Sequence, residues 1–270
     1  MNVLSLFDGM SCGRIALDKA GIPVTNYFAS EIDKYAIQVA KANYPDTIHI
    51  GDVQQVMWPE TFEGIKIDLL LGGSPCQGFS MAGKRLNFDD PRSKLFFEYV
   101  RILKECKPKY FLLENVRMKQ ESQDIISEYL GVQPVAINSS LLSAQNRYRL
   151  YWTNIPFDTP QDLGIKLQDI LEDDFITDRD KAHCIDANYF KGGNLKSYFE
   201  KHRRQLVFSE DAYTKEMRPL WRKLTPLECE RLQTVPDGYT NHVSNSQRYK
   251  MLGNGWTVDV VAHILKGVSG

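Results

Sequence analysis

The chain has 270 residues, 43% hydrophobic and 25% charged, a soluble globular balance with room for one large domain or one large and one small. A formal net charge of −1 excludes a global basic field, so a polyanionic partner would be held by a local patch. No apolar run reaches the roughly 18 residues of a membrane span, no basic leader opens the chain, and cysteines 12, 76, 106, 184 and 229 lack metal-type spacing, so free thiols, no metal, no membrane and a cytoplasmic location are expected.

Val3–Phe7 reads as a short apolar strand. Ser11 then caps a helix through Ala20, stopped by Gly21. Val24–Ser30 is a second strand, and Asp33 caps a helix to Asn43 that Pro45 ends. Thr47–Ile50 and Ile67–Leu71 are further strands. Arg92–Cys106 is helical, with apolar residues at 95, 96, 99, 102 and 103 on one face. Tyr110–Leu113, Val135–Leu142 and Arg149–Thr153 complete the strand set. This alternation predicts an α/β fold, a doubly wound and mostly parallel sheet. Ligands of such sheets bind beyond the carboxyl ends of the strands. Phe7, Glu31, Asp52, Cys76 and Glu114 all follow strand patterns and are expected to line one crevice.

From about Ile155 periodicity weakens. Residues 158–174 hold six acids against Lys166, and residues 178–223 hold eleven Lys/Arg against seven Asp/Glu. The expected division is a catalytic domain of 1–155 plus 243–270 and a small irregular domain of 156–242, with a helical pattern returning at Val258–Lys266. Tyr189, Phe190, Tyr198 and Phe199 are expected in the small domain's core.

Phe7-Asp8-Gly9-Met10-Ser11-Cys12-Gly13 joins the first strand to its helix, where glycines allow close backbone approach and a helix N-terminus offers free N–H groups. The spacing is not GxGxxG, so no pyrophosphate cradle is indicated. Glu31 lies 22 residues after Gly9, placed to accept ribose hydroxyls. Ile32 could pack on adenine and Asp52 could accept from its amine. Alone, Glu31 and Asp52 read equally well as turn or cap residues. Together they favour an adenosine site without pyrophosphate, which suits S-adenosylmethionine better than NAD.

Gly72-Gly73-Ser74-Pro75-Cys76-Gln77 follows a buried strand pattern. A lone Cys is ordinarily a small buried hydrophobe, but a thiol in a backbone-rich loop also suits a nucleophile. Glu114-Asn115-Val116 follows another strand, where a partly desolvated carboxyl could donate a proton. Arg147 and Arg149 alternate on a strand pattern and should share a face.

In this order the motifs resemble the cytosine-C5 DNA methyltransferases over nearly the whole chain. They run Phe7-Asp8-Gly9, Glu31, Gly51-Asp52-Val53, Ser74-Pro75-Cys76-Gln77, Glu114-Asn115-Val116 and Gln145-x-Arg147-x-Arg149. Leu224-Thr225-Pro226-Leu227-Glu228-Cys229 with Arg231-Leu232-Gln233, and Gly253-Asn254, complete the set. The resemblance implies a Rossmann-like methyltransferase fold with a target-recognition domain. Cys76 would attack cytosine C6, Glu114 would bind N3 and N4, Arg149 would contact O2, and Arg147 would orient the carboxylate and loop. The cofactor S-adenosylmethionine, which leaves as S-adenosylhomocysteine, would be held by Phe7, Asp8, Gly9, Met10, Ser11, Cys12, Glu31, Ile32, Asp52, Val53, Ser74, Pro75, Leu95, Asn254, Gly255 and Trp256. Double-stranded DNA would be met by Gln77, Ser80, Lys84 and Arg85 in a closing loop, and by Lys191, Lys196, Arg203 and Arg204 in the recognition segment.

Asp8, Cys12 and Gly255-Trp256 depart from the common bacterial pattern and resemble the branch with the animal de novo enzymes and certain phage or bacterial enzymes. Trp256 reads equally as core. A monomer of bacterial or phage origin is expected, with a role in restriction–modification or DNA protection and a cognate restriction endonuclease as a partner to look for. A tRNA cytosine methyltransferase would carry a Cys-Phe-Thr tripeptide, which the chain lacks. Intact Cys76, Gln77, Glu114, Arg147 and Arg149 argue against a silent relative, and the missing GxGxxG against a dehydrogenase.

Overall fold

The computed structural model describes residues 1–74, 91–209 and 220–268. Two compact units emerge: the described residues of 1–137, 148–158 and 262–270, and those of 138–147 and 159–261.

The first unit carries strands β1 (Asn2–Leu6), β2 (Asn26–Ser30), β3 (Ile48–Gly51), β4 (Leu69–Gly72), β5 (Tyr110–Val116), β6 (Val135–Asn138) and β7 (Tyr148–Thr153). They form one sheet in the order β3-β2-β1-β4-β5-β7-β6. The first five pair in parallel and β7 is antiparallel to β5, so the sheet is mixed but mostly parallel, as the alternation predicts. Helices α1 (Cys12–Lys19), α2 (Lys34–Asn43) and α3 (Pro91–Cys106) follow the expected pattern. Asp33 caps α2 by accepting from the amides of Tyr35 and Ala36. Helix α4 (Gln120–Leu130) was not foreseen. Its buried face uses Ser122 and Ser127 beside Ile126 and Leu130, so the apolar period is half hidden.

Register explains the core. Leu4 and Leu6 of β1, Leu70 of β4, Phe111 and Leu113 of β5 and Trp152 of β7 join one cluster with Phe96, Tyr99 and Ile102 of α3 and Ile126 of α4. Their neighbours Val3, Leu69, Leu71, Leu112 and Tyr151 are buried too, so both sheet faces are covered. Gly72 ends β4 where a Cβ would lie 2.7 Å from the Tyr99 ring, so only glycine lets that ring lie against the strand.

The second unit holds α5 (Leu195–Lys201), the antiparallel pair β8 (Leu206–Phe208) and β9 (Trp221–Lys223), α6 (Pro226–Leu232) and α7 (Asn245–Asn254). Helix α8 (Val258–Leu265) follows. Thr225 and Glu228 form a reciprocal capping box with Pro226 in the first turn of α6, so the Leu-Thr-Pro-Leu-Glu motif is a helix start. The buried Glu228 also receives the Arg222 guanidinium at 2.7 and 2.8 Å. Tyr189 and Tyr198 are core, as expected, while Phe190 and Phe199 are exposed.

The units divide the chain differently from the expected 1–155 plus 243–270 against 156–242: residues 138–147 and 243–261 fall in the second. Buried polar side chains are the physical reason. Gln145 donates to Leu232 O at 2.8 Å and to Gln233 at 2.9 Å, and Gln233 donates to Leu252 O at 2.6 Å. Among the described residues no helix is long and apolar enough to cross a membrane.

Candidate active site

The parallel strands β1, β2 and β3 deliver Phe7, Glu31 and Asp52 one residue beyond their carboxyl ends. Backbone bonds tie these ends together: Asp8 N–H donates to Ser30 O at 3.1 Å, and the Ser30 hydroxyl donates to Gly51 O at 2.8 Å. The loop after β1 alternates into the left-handed region at Phe7 (φ 58°), Gly9 (φ 59°) and Ser11 (φ 66°). For a non-glycine residue that conformation costs roughly 1–2 kcal/mol, and such strain gathers where a backbone is held for function.

Glu31 braces this loop. Its Oε2 accepts from Gly9 N–H at 2.8 Å, and its Oε1 accepts from the amides of Ile32 and Asp33, each at 2.8 Å. Ile32 is 74% exposed, an apolar face open to a flat ring. Asp52 caps the short 3-10 helix Val53–Gln55 through one oxygen, which accepts from Gln54 N–H. A strained loop, a braced carboxylate, an open apolar face and a second acid at adjacent strand ends suit a nucleoside with a short charged tail, so the residues fit S-adenosylmethionine.

Other residues assigned to the cofactor face inward. Met10, Ser11, Cys12 and Val53 are buried, so their side chains support the loops. Ser11 holds the N-cap position of α1 but makes no side-chain cap; its hydroxyl donates to Asp8 at 2.5 Å. The Asp8 carboxylate is itself buried and also accepts from Tyr27 at 2.7 Å. Burial raises its pKa to about 6 against the pull of hydroxyls from Ser11, Ser5 and Tyr27, with the Glu31 charge adding to the rise. Leu95 is half-buried against the main core. Trp256 is buried within the second unit, Gly255 gives its carbonyl to Arg147 and Gln233 there, and Asn254 is exposed at the end of α7.

Beside these lie the ends of β4, β5 and β7. The pairing sets Val116 opposite Arg149, so Glu114, two residues back on the same face, is the diagonal neighbour of Arg149. Their side chains form an ion pair, Arg149 Nε to Glu114 Oε1, at 2.9 Å, with only 14% and 10% exposure. Glu114 therefore lies within β5, not after it. Asn115 donates to Ser74 O at 3.3 Å and to its hydroxyl at 3.4 Å, fixing the chain as it leaves β4. The sequence reading missed this role for Asn115. Cys76, with Pro75, Gln77, Ser80, Lys84 and Arg85, lies outside the described residues.

Arg147 does not share the face of Arg149. It precedes β7, is 2% exposed, and belongs to the second unit. Its guanidinium donates to the carbonyls of Ile185 (2.9 Å), Gly253 (3.0 Å) and Gly255 (2.8 Å) and approaches Cys184 Sγ at 3.2 Å. Glu114 forms its ion pair with Arg149.

In the second unit Lys191 and Lys196 are exposed. Arg203 is 63% exposed and lies 3.7 Å from Asp186. Arg204 is turned inward: it adopts φ 59° and donates to Gly192 O at 2.6 Å, pinning the Gly192-Gly193 turn. That bond ties Arg204, which is half-buried, to the turn of the recognition segment.

The C-5 cytosine-specific DNA methylase family matches residues 1–180 and 157–269. Type II methyltransferase M1.ScrFI of Lactococcus lactis subsp. cremoris is 32% identical, over 96% of this chain and 75% of its own length. Type II methyltransferase M.NlaX of Neisseria lactamica is 31% identical, over 97% of this chain and 94% of its own. A crystal structure of Spodoptera frugiperda DNMT2 shares the fold with a TM-score of 0.73 at 23% identity, covering 98% of both chains. The chain belongs to the C-5 cytosine-specific DNA methylases and is a DNA (cytosine-5-)-methyltransferase.

Proposed function

We propose that the chain methylates C5 of a cytosine within a short duplex sequence through a covalent adduct between Cys76 and C6. The observation that carries this reading is the nearly buried Glu114–Arg149 pair at 2.9 Å beside the end of β4, from which the chain runs on to Cys76. C5 is a poor nucleophile until C6 is attacked. A thiolate at Cys76 adds to C6, and the electron pair of the C5–C6 bond becomes available at C5. Glu114 grips N3 and N4 of the base, with Arg149 fixing the carboxylate and facing O2. With that electron pair C5 would take up the methyl group, whose bond to the cofactor's sulfonium breaks; transfer of the C5 proton to a base then re-forms the double bond and expels the thiolate. The base must first leave the stack, at a few kcal/mol.

S-adenosylmethionine, when bound, supplies an electrophilic methyl group on its sulfonium. Phe7 and Gly9 present backbone to it, Glu31 and Asp52 offer acceptors, and Ile32 offers its open face. Residues 156–242 would read the target, with Lys191, Lys196, Arg203 and Arg204 meeting phosphates or base edges. The relatives' names as type II methyltransferases support a restriction–modification or DNA-protection role in the cytoplasm of a bacterial or phage-infected cell, beside a cognate restriction endonuclease. We take the working unit to be a monomer.

The test is a base-resolution map of 5-methylcytosine in DNA from a methylation-free bacterial host expressing the chain, with Cys76→Ser as control. Modification confined to one short motif and absent from the control is expected. An unmodified genome, given soluble protein that binds S-adenosylmethionine, refutes the duplex reading and turns attention to structured RNA.

A further inference from the structure

Asp8 is one of the residues by which this chain departs from the common bacterial pattern, and its surroundings give it a role. Tyr27 on β2 donates to Oδ1 at 2.7 Å and Ser11 donates to Oδ2 at 2.5 Å. Ser5 on β1 is a further hydroxyl partner, and Glu31 is the charged neighbour at the end of β2. From α1, the Arg14 guanidinium lies 5.6 Å from the centre of the Tyr27 ring. One carboxylate therefore gathers donors from both ends of the strained loop and from the neighbouring strand. The same loop offers Gly9 N–H to Glu31.

We propose that Asp8 is a positioning residue for the cofactor loop: its carboxylate, accepting from Tyr27 and Ser11, holds Phe7–Ser11 in the left-handed turns that the ligand requires, so binding needs this group ionised. A protonated Asp8 would itself be a donor and would displace one of the hydroxyls that now point at it. The group titrates in an accessible range, since burial raises it to about 6. The inference rests on the cofactor reading given above.

The experiment is calorimetric binding of S-adenosylmethionine and S-adenosylhomocysteine to the whole protein between about pH 5 and about pH 8, with melting curves recorded at each pH. One linked proton makes binding about tenfold weaker at pH 5 than at pH 7 for both ligands. Asp8→Asn flattens this dependence. Tyr27→Phe, which removes a donor that favours the ionised form, moves its onset to higher pH, and carries the test if Asp8→Asn fails to fold. A flat wild-type profile overturns the inference, as does an Asp8→Asn profile that keeps the wild-type slope. A slope for S-adenosylmethionine alone would indicate simple charge attraction and would also overturn it. Absence of binding at every pH would refute the cofactor reading itself, and the inference with it.

Discussion

Arg147 offers the sharpest separation between a structural and a chemical role. Arg147→Met keeps the apolar stem and removes the guanidinium. The carbonyls of Ile185 and Gly253 then lose their charged donor; Ile185 keeps only a weak thiol contact at 3.5 Å, while Gly255 retains Gln233 at 3.1 Å. An orphaned buried carbonyl costs about 1–3 kcal/mol, so the loss is about 2–6 kcal/mol. Against a whole-domain stability of roughly 5–15 kcal/mol this is a severe change. It should appear as an earlier transition in urea melts followed by tryptophan fluorescence, with Trp256 next to Gly255 as a local reporter. Arg147→Lys should fall between, because one ammonium cannot span three carbonyls in a plane. A variant that melts like the wild type yet methylates no DNA would refute this reasoning. It would return Arg147 to the carboxylate-orienting role that the family resemblance implies.

Other perturbations separate the site's parts. Glu114→Gln keeps the side chain's shape and should lower methyl transfer by about 10²-fold or more while DNA binding persists; radiolabelled methyl incorporation within tenfold of wild type would remove Glu114 from the chemistry. Arg203→Ala should weaken DNA binding and reduce the salt slope by about 1, while Arg204→Ala should destabilise the fold, because its donor pins Gly192. Identical slopes for Arg203→Ala and wild type would place the DNA elsewhere. Gly72→Ala sets a Cβ 2.7 Å from the Tyr99 ring and should cost about 1–3 kcal/mol in urea melts, with wild-type stability counting against the close approach.

The sheet was legible because parallel strands buried on both faces read as short apolar runs, and Leu69-Leu70-Leu71 is such a run. The strand-end acids were legible for the same reason: once β1, β2 and β3 are parallel, their next residues must share an edge. The sequence reading failed where polar side chains do the packing. Helix α4 buries serines, with the Trp152 indole donating to Ser127 at 3.0 Å. Arg147 and Arg149 looked equivalent by spacing, yet one clamps buried carbonyls and the other meets Glu114. Nothing in alternation alone says that β7 begins at Tyr148, one residue before the Arg149 start expected, and leaves Arg147 outside it. Thr225-x-x-Glu228 before a Cys-Glu-Arg-Leu run was a readable capping box that went unread as one.

Asp8 makes the opposition between stability and site explicit. Its folded pKa of about 6 exceeds the ordinary 3.8, so the folded protein binds this proton more readily than the unfolded chain does. Stability from this group is therefore full below about pH 4 and is lost as pH rises through 6. The gap corresponds to about 3 kcal/mol. In urea melts Asp8→Asn should lack this fall between about pH 4.5 and 7, and should match or exceed the wild type at neutral pH. The wild type thus carries an ionised buried carboxylate at neutral pH that its fold would be better without. A small residue at position 8 would avoid that burden but would leave the hydroxyls of Tyr27 and Ser11 without their acceptor. The three side chains therefore form one unit, so Asp8→Ala and Tyr27→Phe should be non-additive in the same melts. Additive losses, or an Asp8→Asn variant with the wild-type pH dependence, would show that the carboxylate is not the group opposing stability there.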